Sequence, residues 1–279
     1  MSTISSIHTP IVLTIAGSDS GGGAGIQADI KAISATGGYA CSVITAITAQ
    51  NTQGVSAVFP LPLAVVEQQL DAVFSDIPVL AVKIGMLADA PIIALVAKKL
   101  RQYQPKWIVL DPVMISTSGH HLLAAEAVET LKRELLPLAN LITPNLPEAA
   151  VLVGMTQQEW QQNPQQGITV LSQLNTPAVL LKGGHDHQQA NSDDLLIQSG
   201  DSRHFCAPRI ATKNTHGTGC SLSSAIASYL AQGHALKEAV EKAKQYIHQT
   251  ILHADQLKIG QGYGPVHHFY QLQMDKSEA

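Results

Sequence analysis

A recurring unit governs the order of this chain: a short apolar run, a glycine or polar residue that closes it, then a stretch of helical period. Apolar runs at residues 11–16, 41–47, 80–84, 107–110, 141–143 and 179–181 end at or lead into Gly17, Gln50, Gly85 with Met86, Asp111, Asn145 and Lys182. These runs are continuous rather than alternating, as strands covered on both faces are. Among them, apolar residues recur at helical spacing: Ile26, Ile30 and Ile33, then Val66, Leu70 and Val73, then residues 91–103, 125–136 and 235–252. This order predicts an α/β fold with a single central, mostly parallel sheet and helices on both faces. Residues 195–198 and 203–206 flank Ser199-Gly200-Asp201 and are expected to pair as an antiparallel edge. No linker or shift in composition divides the chain, so one domain is expected over residues 1–279. Hydrophobic residues make up 45% of it and aromatics 4%, which leaves Ala, Leu, Ile and Val to fill the core.

In an open α/β sheet the ligand crevice lies beyond the carboxyl ends of the strands. The closing residues named above therefore collect on one edge. Asp111, Asn145, Glu148 and Lys182 form a set suited to phosphate and Mg2+. Carboxylates and water hold the metal, and a lysine offsets phosphate charge. Each residue alone also suits ordinary turn chemistry, since Asp-Pro and Pro-Asn open turns. Four on one edge favour the set. Asp29, taken alone, reads as an exposed helix charge. The glycine-rich stretch 17–25 before it fits neither the Walker A nor the G-x-G-x-x-G pattern, and by pattern it is a flexible turn.

Residues 213–220, Lys-Asn-Thr-His-Gly-Thr-Gly-Cys, open a helix whose apolar face is Leu222, Ala225, Ile226, Tyr229 and Leu230, with Gly233 as its stop. A helix start offers unpaired N–H groups and the positive end of the dipole to an anion. Gly217 and Gly219 let a ligand approach the backbone. Cys220 lies where a thiol pKa is expected to fall. The alternative is a capped, buried helix with a core cysteine. His216 is either a donor to phosphate or a loop-packing residue.

The formal charge of −4 argues against a nucleic-acid or anionic-membrane partner. Cys41 and Cys206 read as structural, and the absence of a Cys-x-x-Cys pair supports neither a disulfide framework nor a zinc site. The sequence has no basic leader and no apolar run long enough to span a bilayer, so a cytoplasmic protein is expected. The histidine pairs at 120–121, 185 with 187, and 267–268 lack carboxylate or cysteine partners at ligand spacing. The glutamine-rich residues 157–166 read as a solvated surface segment.

Longer stretches carry a resemblance. They are Ala-Gly-Ser-Asp at 16–19, Gly-Gly-Gly-Ala-Gly-Ile-Gln-Ala-Asp at 21–29, and Ser-Val-Ile-Thr-Ala at 42–46 with Ala-Gln-Asn-Thr at 49–52. Lys-Ile-Gly-Met at 83–86, Leu-Asp-Pro-Val-Met at 110–114, and Thr-Pro-Asn-Leu-Pro-Glu-Ala at 143–149 follow. Leu-Lys-Gly-Gly-His at 181–185, the 213–220 loop, and Gly-Pro-Val-His-His at 264–268 complete the series. In this order, over nearly the whole chain, the sequence resembles the hydroxymethylpyrimidine/phosphomethylpyrimidine kinases, the thiamine-pathway branch of the ribokinase-like superfamily.

The resemblance implies a two-step, ATP-dependent kinase. It would phosphorylate 4-amino-5-hydroxymethyl-2-methylpyrimidine, then the resulting monophosphate, giving the diphosphate used for thiamine. Gly17, Asp29, Gln50, Met86 and Val113 would line the pyrimidine pocket, with Gln50 on the aminopyrimidine edge and Met86 on the ring. Asp111 and Glu148 would organise Mg2+. Asn145, Lys182 and Thr218 would meet the nucleotide phosphates. Gly217, Thr218, Gly219 and Cys220 would form the anion hole, with Cys220 as the base where many superfamily members carry Asp. A homodimer is implied, and adenine contacts are expected between His185 and Thr215. The rival is a pyridoxal kinase of the same sub-branch. Some of those carry a second cysteine in the loop that here is 115–119, Ile-Ser-Thr-Ser-Gly, with no cysteine. A different-class alternative is a pyrimidine-binding regulatory protein without catalysis, against which the intact anion loop speaks.

Overall fold

The computed structural model describes residues 9–114, 123, 125–183, 191–198 and 200–274. Among these, the strands are β1 (Ile11–Asp19), β2 (Tyr39–Asn51), β3 (Gly54–Pro60), β4 (Ala81–Ile84), β5 (Trp107–Leu110), β6 (Leu141–Ile142), β7 (Ala178–Leu181), β8 (Asp194–Gln198) and β9 (Asp201–Phe205). They form one sheet in the order β3-β2-β1-β4-β5-β6-β7-β8-β9. The six strands from β2 to β7 in that order run parallel. Antiparallel β3 closes one side, and the hairpin of β8 and β9 closes the other.

Both faces are covered, which explains the unbroken apolar runs. Leu13, Ile15, Val82, Ile84, Ile108 and Leu110 pack on one side with α2 (Leu63–Asp76), α3 (Ala90–Tyr103), α4 (Ala125–Glu134) and α5 (Leu146–Val153). Their neighbours Val12, Ala81, Val109 and Leu141 face the other way, toward α1 (Gly25–Ala35), α8 (Thr218–Ala231) and α9 (Leu236–Leu252). On α8, Ser221, Ser223, Ser224 and Ser228 have no exposed surface. Side chains this small let α8 lie close against the sheet and against α1, which sets its first turn at the strand ends.

Local chemistry accounts for the departures from the sequence reading. Strand β3 was not expected. The Asn51 side chain accepts from the N–H groups of Gln53 and Gly54, at 2.8 and 3.2 Å, and turns the chain back so that β3 pairs with β2. Gln50 accordingly falls inside a strand rather than after one. The glutamine-rich segment lies on the surface as expected, exposed at every residue of 157–166 but Trp160, and it is helical, in α6 (Gln157–Gln162) and the start of α7 (Pro164–Leu171). Thr156 and Glu159 form a capping box, and Trp160 is buried over Gly167. Helix α4 stops at Glu134, short of the expected 136, and Pro137 lies in a short 3-10 turn. Cys206 follows β9 and is exposed, while Cys41 is buried in β2. The loop 115–119 and residues His120, His121, Gly184, His185, His187 and Ser199 lie outside the described residues. No helix among the described residues is long and apolar enough to cross a membrane.

Candidate active site

Each parallel strand is tied to its neighbour at the carboxyl end. Gly85 N–H donates to Ile15 O (2.9 Å), Asp111 N–H to Ile84 O (2.8 Å), Thr143 N–H to Leu110 O (2.9 Å) and Lys182 N–H to Pro144 O (2.9 Å). These bonds align the ends of β1, β4, β5, β6 and β7 into a single edge. The expected collection of polar residues is there. A Cβ on Gly17 would lie 3.4 Å from Met86 Cε, so the absence of a side chain keeps the space beside Met86 open.

Asp111, Glu148, Lys182 and Gly219 converge. Lys182 Nζ lies 2.7 Å from Asp111 Oδ1 and 4.0 Å from Glu148 Oε2. A Cβ on Gly219 would come within 3.3 Å of Lys182 Nζ and 3.6 Å of Asp111 Oδ2, which brings the start of α8 against the charged set. Asn145 and Glu148 serve turn chemistry as well. Asn145 Oδ1 accepts from Glu148 N–H (2.9 Å) and Glu148 accepts from Asn145 N–H (2.8 Å), a capping box at the head of α5. The turn-chemistry reading of these two residues therefore holds, on the same edge that carries Lys182.

Burial acts on every charge here. It pushes the Asp111 carboxyl up, but Lys182, Lys83 and the Thr143 hydroxyl outweigh it and hold the group below its usual range. Glu148 is raised to about 7 by burial, with Lys182 pulling against it and Asp111 adding to it. Burial disfavours the Lys182 charge, yet Asp111 and Glu148 raise its pKa. The lysine ammonium therefore stands beside two carboxylates, in contact with Asp111 and 4.0 Å from Glu148. Among the described residues no cluster of three or more His, Cys, Asp or Glu could hold a metal by itself.

Gly217 opens α8 at φ +80°, and a Cβ there would strike Gly23 O at 1.8 Å. The anion loop and the glycine-rich loop are thus pressed backbone to backbone. No side chain caps α8, which leaves helix-start donors for a ligand. The expectation for Cys220 is corrected. Burial pushes its thiol up to about 11, although Lys83 and the Gly25 N–H pull it down. Desolvation outweighs the helix start, and Cys220 rests as a neutral thiol.

Asp29 is not an exposed helix charge, and it does not border open space. It has no exposed surface, and it accepts from Lys83 Nζ at 2.8 Å on both oxygens, from Thr14 Oγ1 at 2.6 Å and from Ser224 Oγ at 2.8 Å. It lies beneath the edge, where α1, α8 and the sheet meet. Lys83 was not among the expected site residues. Its signal was present, since a lysine inside the apolar run 80–84 must find a buried partner. The glycine-rich loop is also more than a flexible turn. Asp19 gathers it by accepting from the N–H groups of Gly21 (2.8 Å), Gly23 (3.0 Å) and Ala24 (2.8 Å). His216 Nε2 lies 3.0 Å from Asp19 Oδ2 and 3.1 Å from Gln50 Nε2, so it joins the anion loop to the ring-binding candidate instead of pointing at phosphate. Val113 follows Asp111 in a tight turn closed by Val113 N–H to Asp111 O (2.8 Å) and is partly exposed.

A doubly wound sheet with an uncapped helix start facing a lysine and two carboxylates defines a ribokinase-like small-molecule kinase. The chain belongs to the phosphomethylpyrimidine kinase family, whose model matches residues 19–267. It is 52% identical over 267 residues to the hydroxymethylpyrimidine/phosphomethylpyrimidine kinase of Rhizobium meliloti, covering 96% of this chain and 100% of that one. It is 51% identical over 257 residues to the bifunctional thiamine biosynthesis protein ThiED of Geobacter sulfurreducens, covering 92% of this chain but only 52% of that longer protein. In structure it is similar to the pyridoxal kinase of Bacillus subtilis in an ADP complex, with a TM-score of 0.85, 35% identity, and coverage of 94% of this chain and 98% of that one.

Proposed function

We propose that the protein transfers the γ-phosphoryl group of ATP to the hydroxymethyl group of 4-amino-5-hydroxymethyl-2-methylpyrimidine, then to the monophosphate so formed. The observation that carries this reading is the convergence of Lys182, Asp111 and Glu148 on Gly219 at the head of α8. Family membership supplies the substrate class.

Gln50 reads the amino and ring-nitrogen edge of the pyrimidine, Met86 packs on the ring, and Gly17 and Val113 border it. Asp29 supports this pocket from below, through Lys83. Lys182 leaves Asp111 to hold nucleotide phosphate, with Asn145 and Thr218 beside it. Asp111 and Glu148 would hold Mg2+, which would offset the charge of the phosphates there. The N–H donors of Gly217, Gly219 and Cys220 face the transferring group, where fixed dipoles stabilise developing charge; the Thr218 N–H is given to Thr215 O. The transition state is loose, so positioning matters more than covalent help.

Cys220 accepts the proton of the alcohol. Since it rests as a thiol, its own proton must first pass to bulk water, which its partial exposure allows. A phosphate monoester acceptor is already anionic near neutral pH and needs no such base. The two transfers on this edge therefore differ in their demand on Cys220.

A second reading, phosphorylation of pyridoxal, is favoured by the likeness to a pyridoxal kinase. A homodimer fits the apolar surface near the β2–β3 pair: cross-strand partners Ile47 and Phe59 are 43% and 64% exposed, with Leu63 and Val65 exposed close by in sequence. A cytoplasmic location is part of the same reading. The test is ADP release with Mg-ATP and either ring alcohol. Release with the aminopyrimidine exceeds that with pyridoxal in kcat/KM if the reading is right; the reverse order transfers the assignment to pyridoxal.

A further inference from the structure

Asp19, His216, Gln50 and Thr48 form a chain of contacts whose donors and acceptors match in one arrangement only. Burial pushes the Asp19 carboxyl up, but the His216 ring and the N–H groups of Ala24 and Gly21 override it and keep it ionised. An ionised carboxylate only accepts, so the proton on the facing histidine nitrogen is on Nε2, 3.0 Å away. That same Nε2 lies 3.1 Å from Gln50 Nε2, which sets donor against donor. At the other end, Thr48 Oγ1 gives its single proton to Ser18 O at 2.9 Å. Gln50 Oε1, 3.3 Å from that hydroxyl, then faces a lone pair. A half turn of the amide converts both conflicts into hydrogen bonds. Its oxygen becomes the second acceptor of the one His216 Nε2–H, shared with Asp19 in a three-centre bond, and its nitrogen donates to Thr48 Oγ1. The imidazole reaches this point because residue 23 is glycine; a Cβ there would meet His216 Cδ2 at 2.4 Å.

We propose that Asp19 and His216 lock the Gln50 amide with its oxygen toward His216 and its nitrogen toward Thr48, so that it presents one fixed acceptor–donor order to a ring carrying an amino group beside a ring nitrogen. His216 is then a positioning residue that sets ring specificity through Gln50. The proposal rests on the reading of Gln50 as the ring contact. Amide polarity matters because a site built to hydrogen-bond a substrate discriminates strongly against mismatched edges.

The test is a double-mutant cycle in the full chain, read by calorimetry with the aminopyrimidine alcohol and, separately, with ADP. His216→Phe keeps a ring over Gly23 and removes the N–H. It is expected to weaken aminopyrimidine binding about tenfold, and to raise KM far more than it lowers kcat. In a Gln50→Leu background it is expected to add less than about twofold, because its effect runs through Gln50. ADP affinity stays within about twofold throughout. Thr48→Val, which removes the acceptor at the other end, weakens the same ligand about threefold and serves if His216→Phe does not fold. Wild-type affinity in a folded His216→Phe variant, additive losses in the cycle, or an equal loss of ADP affinity would each overturn the proposal. Failure of the unaltered protein to bind the aminopyrimidine overturns the substrate reading itself, and with it this refinement.

Discussion

The ammonium of Lys83 sits 2.8 Å from each carboxylate oxygen of Asp29, and neither side chain has any exposed surface. Thr14, which is opposite Lys83 in the β1–β4 register, and Ser224 on α8 complete the shell around Asp29. The pair joins α1, α8 and the sheet directly under the site. The two partners act oppositely on Cys220: Lys83 opposes the effect of burial on the thiol, and Asp29 adds to it. Burial and Asp29 pull the Lys83 pKa in opposite directions, and Asp29, with Cys220 and Asp111, holds it above the usual value.

Lys83→Met should be strongly destabilising, because it strands the Asp29 charge. Breaking one side of a buried pair costs about 3–5 kcal/mol. Adding Asp29→Asn should recover part of that loss: it removes the stranded charge, and the amide oxygen can still accept from one of the two hydroxyls, Thr14 or Ser224, while the other can turn to accept from the amide nitrogen. Urea denaturation of the single and double variants checks this. Equal instability of the two would mean that the charge imbalance is not the cause.

Cys220→Ala should separate the two phosphoryl transfers. Loss of a proton acceptor slows the alcohol step roughly 10²–10⁴-fold. The monophosphate step, whose acceptor has a second pKa near 6, should fall less than about tenfold. The thiol of the unaltered protein is pushed up to about 11, so its ionised fraction grows with pH throughout the neutral and mildly alkaline range. The alcohol step should then rise up to about tenfold per unit between pH 7 and 9, while the monophosphate step stays nearly flat. Rapid-quench assays on each acceptor give both profiles. Equal losses in the two steps would remove Cys220 as the base and leave the loop as an anion hole only.

Glu148→Gln should stabilise the protein in mildly alkaline solution while impairing catalysis. The folded pKa of Glu148, about 7, exceeds its ordinary value of 4.5. Between those values the folded state binds more protons than the unfolded state, so its stability falls as pH rises, and the loss is complete above about pH 7. Gln removes that ionisation and still accepts from Asn145 N–H. A gain on the order of 1–3 kcal/mol is expected at pH 8, vanishing below pH 4.5. Turnover with Mg-ATP should fall together with apparent Mg2+ affinity. A variant less stable than the original at pH 8 would contradict this account of the buried carboxylate.

The parallel core was legible because its strands are covered on both faces and leave continuous apolar runs, as at 11–16 and 80–84. The site edge was legible because each run closes on a polar or glycine residue. Strand β3 left no such trace, as its residues are half exposed and follow no strict alternation. The α6–α7 segment was hidden by its glutamines, although Thr156 and Glu159 carried a capping signal. Asp29, Lys83, Asp19 and His216 act through contacts between residues far apart in sequence, up to 197 positions for Asp19 and His216. No local pattern carries such a pairing. The Cys220 thiol was misjudged because a helix start is local and readable, whereas desolvation depends on everything packed around it.

The claim that one strand-end edge performs both transfers is tested most directly by a mass-spectrometric time course. Purified protein is incubated with the aminopyrimidine alcohol, ATP and Mg2+, and the mono- and diphosphate are quantified at intervals. The account predicts that the monophosphate rises first, then declines as the diphosphate accumulates, with one ADP formed for each phosphoryl group transferred. Accumulation of monophosphate with no diphosphate, or turnover of pyridoxal with the aminopyrimidine untouched, would contradict it.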